Sequence, residues 1–465
     1  MELSSSVTLT WKFCTIVSLL GCFILVIFLH KNDQILVTTT ISAVLELAPT
    51  TQPEVLSTIV TPSKLANYSN YKTEKVSIVS NFSRSNVVVE TPPSSFNLTY
   101  IKSKYKEKAT KLVRKRCNMF EGRWVYKPEA NPIYNVTSCP FIEEKMSCQR
   151  NGRPDFEYEK WSWEARDCKI PLLNGRDMVE KFRNKRVILV GDSLNRNMWE
   201  SLACILYSSI PNPSSIAQIQ SDGKMIRTML KAKEEYNFTV EFFWSPFLVE
   251  LKKNHESGKK VLILDKLSPN SELWAGADIM VFNSGHWWTQ LGKKKAWELF
   301  EYKEKLIKDM PLHIAYKRGM KTWAKWIQKN VDPNKTSLFV RGVSAEHLDK
   351  QRNQWCYTKT KPIMDESYKP FFPSSLIKSI EGVIKGMGES RVKYLNITKL
   401  SEYRIDAHPS IYRYKDWKIR ANTDISNLTS TADCGHWCLP GLPDTWNRLL
   451  YASLYFDILA DVSNS

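Results

Sequence analysis

Residues 185–197 read KRVILVGDSLNRN. The run RVILV (186–190) is short, β-rich and apolar, which predicts a strand buried on both faces. Gly191, Asp192 and Ser193 follow, and then Leu194, Met198, Leu202 and Ile205 recur at helical spacing. The stretch therefore predicts strand, sharp corner and helix, with Ser193 at the corner. A serine there has two readings. One is a nucleophile presented at the top of a strand. The other is a helix cap, a position that Ser and Asp favour anyway.

The pattern continues outward as α/β. YNFTVEFF (236–243) alternates like a strand, and ADIMVFN (277–283) predicts a second buried strand. A helical stretch over roughly 294–328 separates these from the strand-like SLFVRGVS (337–344) and VKYLNIT (392–398). In the tail, Leu449, Ala452, Phe456 and Leu459 share one face, which predicts a closing helix. Strands separated by helical stretches imply a three-layer α/β/α sandwich around a mostly parallel sheet.

The chain has 465 residues, a hydrophobic fraction of 43% and a formal net charge of +18. That charge favours polyanionic partners or anionic membrane surfaces. No zinc-finger spacing or P-loop accompanies it, so nucleic acid is not an expected partner. Residues 13–29, FCTIVSLLGCFILVIFL, lie between Lys12 and Lys31. They predict an uncleaved signal anchor over 13–30 behind a cytosolic tail, 1–12, short enough for a thin early-secretory membrane. Sequons at Asn67, Asn81, Asn97, Asn135, Asn237, Asn334, Asn396 and Asn427 all follow it and argue for a lumenal body.

Cysteine use agrees with an oxidising lumen. Cys117, Cys139, Cys148, Cys168, Cys204, Cys356, Cys434 and Cys438 suggest four disulfides whose pairing the spacing leaves open. No Cys-x₂-Cys pair exists, so no metal site is expected. Residues 31–116, rich in Thr, Ser, Val and Pro, read as a disordered glycosylated stem that ends in a basic linker, 101–116. Residues 117–171 read as a disulfide-stapled, β-rich module, and 172–465 as the α/β domain.

Reactive groups in open α/β sheets sit beyond the carboxyl ends of strands. Ser193 and Asn283 are both placed there by the strand assignments. A serine needs a base, and His436 in TADCGHWCLPGLPDTWN (431–447) follows Asp433 by three residues. In a turn those two share a face. Asp433 is then expected to hold the Nδ1 proton of His436 and leave Nε2 toward Ser193, the arrangement that activates a serine. Arg196 and Asn197 are expected to brace the corner, His286 to line the site and His408 to be structural. Trp287 and Trp288 suit either sugar stacking or the core.

The ordered set CNMFEGRWV, CPF, NGRPD, YEKWSW, VGDSLNRN, FNSGHWW, LSEYRIDAHPSIY and DCGHWCLPGLPDTWN resembles the trichome birefringence-like family of plant polysaccharide O-acetyltransferases. That family lies within the GDSL/SGNH esterase superfamily. The resemblance covers about residues 115–458. It implies Ser193 as nucleophile, His436 as base, Asp433 as its orienter, and Asn283 with the Ser193 N–H as oxyanion donors. It also implies a Golgi type II membrane protein that acetylates a wall polysaccharide, xylan first, with xyloglucan, mannan or pectin as alternatives. No bound cofactor is implied, only an acetyl donor, acetyl-CoA or another carrier. Met198, Ser162, Glu164, Ala165 and Ala345 depart from the family pattern without touching the implied triad. An acetylesterase and a non-catalytic wall-polymer binding protein are the rival readings.

Overall fold

Val187 and Leu189 point to one face of the RVILV strand and Ile188 and Val190 to the other, and all four are fully buried. Two apolar layers therefore have to cover that strand, and the rest of the fold supplies them. The computed structural model describes residues 118–462, except 213–215, 221–226, 234, 350–353, 366, 367, 369–372, 389, 390 and 424.

In chain order, β1 (Gly122–Tyr126) and β2 (Trp161–Ala165) form an antiparallel pair. Then come α1 (Gly175–Phe182), β3 (Arg186–Gly191) and α2 (Ser193–Ser209). Next are β4 (Ile216–Gln220), β5 (Arg227–Ala232), β6 (Phe238–Trp244), β7 (Val249–Lys252), β8 (Val261–Leu267) and β9 (Ile279–Phe282). A short α3 (His286–Thr289), β10 (Leu299–Tyr302) and β11 (Lys305–Ile307) precede α4 (Leu312–Asn330) and β12 (Ser337–Arg341). The chain ends through β13 (Leu348–Asp349), β14 (Gln354–Trp355), α5 (Ser374–Met387), β15 (Lys393–Leu395), α6 (Thr398–Glu402), α7 (Trp417–Thr423), α8 (Ile425–Ser430) and α9 (Leu442–Val462).

The central sheet has seven strands in the order β15-β12-β9-β3-β6-β5-β4. From β15 to β6 every pairing is parallel, and β5 and β4 close one edge antiparallel. Val187 and Leu189 pack with α1, α2 and α9 on one face. Ile188 and Val190 pack with α4 and α5 on the other. The three layers place the parallel strand ends, and hence Ser193, at one rim of the sheet.

Two expectations are corrected. The helical stretch 294–328 begins only at Leu312; residues 299–307 form the hairpin of β10 and β11. Lys303 and Glu304 both take positive φ, 54° and 61°, as a two-residue hairpin turn requires. Parallel pairing of β10 with β8 then builds a second sheet, ordered β11-β10-β8-β7, and overrides the helical spacing. The module 117–171 holds only the β1–β2 pair as sheet among its described residues, and two of its cysteines bond outside it.

Those bonds are Cys139–Cys204, to α2, and Cys148–Cys438, with Cys356–Cys434 linking two later loops. Cys168 is also disulfide-bonded, and Cys117 lies outside the described residues. The Trp124 indole donates to the Leu400 carbonyl at 2.8 Å, and Arg448 donates to the carbonyls of Pro171, Trp163 and Ile170. The module is thus packed into the α/β body. Cys148–Cys438 spans 290 residues, so its removal frees much chain entropy in the unfolded state. Replacing both cysteines by serine is expected to cost about 4 kcal/mol, read as a lowered denaturation midpoint.

Burial also stores a pH-dependent cost. It pushes the Glu402 carboxyl up to about 8, with Lys399 opposing weakly. Its folded pKa lies above the unfolded value of about 4.3, so its stabilising contribution is complete below that value and is lost as pH rises toward 8. Glu402→Gln keeps the shape and removes the proton. Its melting temperature is expected to gain on the parent's as pH goes from 5 to 8.

Among the described residues no helix is long and apolar enough to cross a membrane. The expected anchor, 13–30, and the stem, 31–116, lie outside them, as do Asn67, Asn81 and Asn97. Asn135, Asn237, Asn334 and Asn396 are exposed, while the side chain of Asn427 lies outside the described set.

Candidate active site

The corner after β3 is built on close approach. A Cβ on Gly191 would stand 1.7 Å from Asn283 Oδ1 and 2.7 Å from the Asn283 carbonyl oxygen, so only glycine lets the ends of β3 and β9 meet. Gly191→Ala is expected to cost about 3 kcal/mol through that overlap, measured by denaturant unfolding. Asp192 then caps α2: its Oδ1 accepts the Leu194 N–H at 3.0 Å and the Asn283 side-chain N–H at 2.9 Å. The Asp192 N–H in turn donates to Asn283 Oδ1 at 3.2 Å. The cap is therefore Asp192, which leaves the Ser193 hydroxyl free of capping. The Ser193 N–H opens the helix and has no intrahelical acceptor.

Asn195 and Asn197 fix the corner from within α2. Asn195 donates to the carbonyls of Val190 and Val281 at 2.9 and 3.0 Å. Asn197 clamps the Trp437 backbone, accepting its N–H at 2.9 Å and donating to its carbonyl at 3.2 Å. That clamp brings the loop 432–438 to the start of α2, and Cys356–Cys434 and Cys148–Cys438 hold the loop at both ends.

The result joins residues far apart in sequence. The Ser193 Oγ lies 2.7 Å from His436 Nε2. His436 Nδ1 lies 2.9 Å from Asp433 Oδ2 and 3.1 Å from Oδ1. The backbone N–H groups of Gly435 and His436 also donate to Asp433 Oδ1, at 3.2 and 3.0 Å. Burial alone would raise the Asp433 carboxyl. The charge and hydrogen bonds of His436, helped by Arg413 at 3.9 Å, outweigh it and hold the group far below the usual carboxylate range. Asp433 is thus a carboxylate that accepts from Nδ1 of His436, and Nε2 is the ring nitrogen that faces Ser193. Ser193 is half-buried and the His436 side chain is 23% exposed, so the pair is open to a substrate.

The chain matches, over residues 170–453, the GDSL/SGNH-like acyl-esterase family found in Pmr5 and Cas1p, and over 115–169 the PMR5 N-terminal domain. The chain belongs to the trichome birefringence-like family. Protein trichome birefringence-like 42 of Arabidopsis thaliana is 38% identical over 73% of this chain and 89% of its own length. Protein trichome birefringence and trichome birefringence-like 1 of the same plant are 39% and 41% identical over 73% of this chain. The chain spans 56% and 62% of the length of those two relatives.

Other expected contacts in this trichome birefringence-like site divide. His286 is 6% exposed and lies near it, Nδ1 being 3.9 Å from Asp192 Oδ2 and Nε2 3.9 Å from Glu346 Oε1. Trp287 is half-buried, with its ring 5.4 Å edge-on to Trp244. Trp288 is core: it is 1% exposed, donates to Ser284 Oγ at 2.9 Å and packs on Phe247, Trp297 and Tyr316. Arg196 is held in an ion pair with Glu143 and lies over the rings of Phe242 and Trp244, which makes it a brace behind the site.

The sequence reading missed Trp244 and Glu346. Trp244 pairs in register with Gly191 and so stands beside the corner; its place at the end of the 236–243 strand was the available signal. Glu346 reaches the site because the His347 N–H donates to the Cys434 carbonyl at 2.9 Å, a contact that no local pattern announces.

Proposed function

We propose that this chain is an O-acetyltransferase that moves acetyl through Ser193 onto hydroxyls of a plant cell-wall polysaccharide, with xylan the first acceptor to test. The observation that carries this reading is the hydrogen-bonded chain Asp433–His436–Ser193 at the head of α2. His436 Nε2 takes the Ser193 proton as Oγ attacks the donor's carbonyl carbon. The carbonyl becomes an oxyanion, to which we assign the Ser193 N–H and the Asn283 side-chain amide as donors, each such donor being worth about 3 kcal/mol. Collapse expels the carrier, which receives the proton from His436, and leaves acetyl-serine. A sugar hydroxyl then gives its proton to His436, attacks the acetyl carbon and departs as the ester, restoring Ser193.

The partly exposed Trp287 and Trp244 rings offer apolar faces to the C–H surface of a sugar beside the serine. The exposed sequon asparagines and the paired cysteines support a lumenal, glycosylated protein of the Golgi, held by the 13–30 segment. The test is incubation of the purified chain with an acetyl donor and unacetylated xylan oligomers, followed by mass. Acetyl gain by the oligomer is the expected result. Acetyl loss from an acetylated oligomer, without gain by the bare one, contradicts transfer and supports the esterase. Binding without either change contradicts both.

A further inference from the structure

Two histidines that take no part in the proposed steps lie directly behind the base. His347 and His408 are each 1% exposed, and Nδ1 of the first lies 2.7 Å from Nε2 of the second. Their outer nitrogens both face backbone carbonyls: His347 Nε2 lies 2.8 Å from the Glu402 oxygen, and His408 Nδ1 lies 2.6 Å from the oxygen of His436 itself. A carbonyl oxygen only accepts, so each outer nitrogen has to carry a hydrogen. That uses both protons of two neutral imidazoles. It leaves two lone pairs facing each other at 2.7 Å, where a contact of this length needs a proton between them.

We infer that His347 and His408 share one additional proton as an imidazole–imidazolium pair, and that they are positioning residues which tie the backbone of the base His436 to the body of the fold. The kinetic part of this inference rests on the acetyl-transfer reading; the proton count does not.

The surroundings pull in both directions. The Trp437 indole stacks on His408 at 3.9 Å and 23°, which favours a cation. Asp406 and Asp433 also favour it, as do the two carbonyls. Burial opposes it first at both rings, and at His408 the charges of His347 and His436 oppose it further. Arg404 and Arg153 are neutralised by Asp406 and Asp155 at 2.9 Å, and the neutral Glu402 carboxyl supplies no counter-charge at pH 7. Burial prevails at both rings and holds them below the ordinary imidazole range, so the shared proton is taken up only in acid and leaves as pH rises. Its loss sets lone pair against lone pair and loosens the tie to the His436 carbonyl.

The test is nitrogen NMR on the full chain labelled with ¹⁵N-histidine, at pH 4 and 8. At pH 4 a third proton over the four ring nitrogens is expected, strongly deshielded and coupled to both rings, and it is lost by pH 8. One proton per ring at both pH values overturns the inference. In the same pair of conditions, kcat for acetyl transfer is expected to fall as pH rises through the pair's pKa and then level off, with KM unchanged. His347→Gln supplies two amide protons, one to the Glu402 carbonyl and one to His408 Nε2, and fills every contact without a charge. It is expected to keep kcat and lose the high-pH fall. A His347→Gln chain that folds but keeps that fall contradicts the pair's role. Failure of the acetyl-transfer reading shows separately, as no product from the parent chain at any pH.

Discussion

Ser193→Ala is expected to lower the rate of acetyl transfer by roughly 10⁴-fold or more while leaving the fold intact. The size follows from the chemistry: without Oγ there is no acyl intermediate, and His436 has nothing to deprotonate. The retained fold follows from the corner's construction. The capping of α2 rests on Asp192, and among the described residues the side-chain partner of Ser193 is His436, so alanine leaves no buried donor unpaired. An unchanged melting temperature beside lost activity checks both halves. A large loss of stability would mean that the serine is structural.

Asp433→Asn is expected to lower kcat by about 10⁴-fold, for a different reason. The carboxylate accepts from Nδ1 of His436 at 2.9 Å and so leaves Nε2 bare for the Ser193 proton. An amide nitrogen in that place donates to Nδ1, moves the ring proton to Nε2 and turns the base away from its task. The same substitution changes acid stability. The folded Asp433 carboxyl titrates far below its unfolded value, about 3.9, so its contribution is present above that pH and is lost as pH falls through the folded value. An amide at this position removes the dependence. Acid unfolding of the variant is therefore expected to be less steep.

How much of this was legible beforehand depends on which interactions fix each part. RVILV announced a strand because it is buried on both faces, and a continuous apolar run is what that burial demands. Ser193, Asn283, Asp433 and His436 were visible because their roles need particular residue types at strand ends and turns. The 299–307 hairpin was not visible, because Lys303 and Glu304 carry no glycine or asparagine signal for positive φ and the decisive pairing is with β8, distant in sequence. Cysteine partners were closed to spacing for the same reason: Cys148 and Cys438 stand 290 residues apart and are brought together by the tertiary fold. Trp288 reads like its neighbour Trp287, yet α3 turns one ring into the core and leaves the other half-buried. His347 and His408 gave no joint signal, since 61 residues separate them and their meaning lies in a shared contact.

The most direct measurement is to trap the intermediate. The purified chain, given an acetyl donor and no acceptor, is quenched in acid, digested and read by mass. The account predicts one acetyl group on the peptide that carries Ser193, absent from Ser193→Ala and discharged when xylan oligomers are added. Transfer to the oligomers with Ser193 never acetylated, or acetylation at another residue in its place, would contradict it.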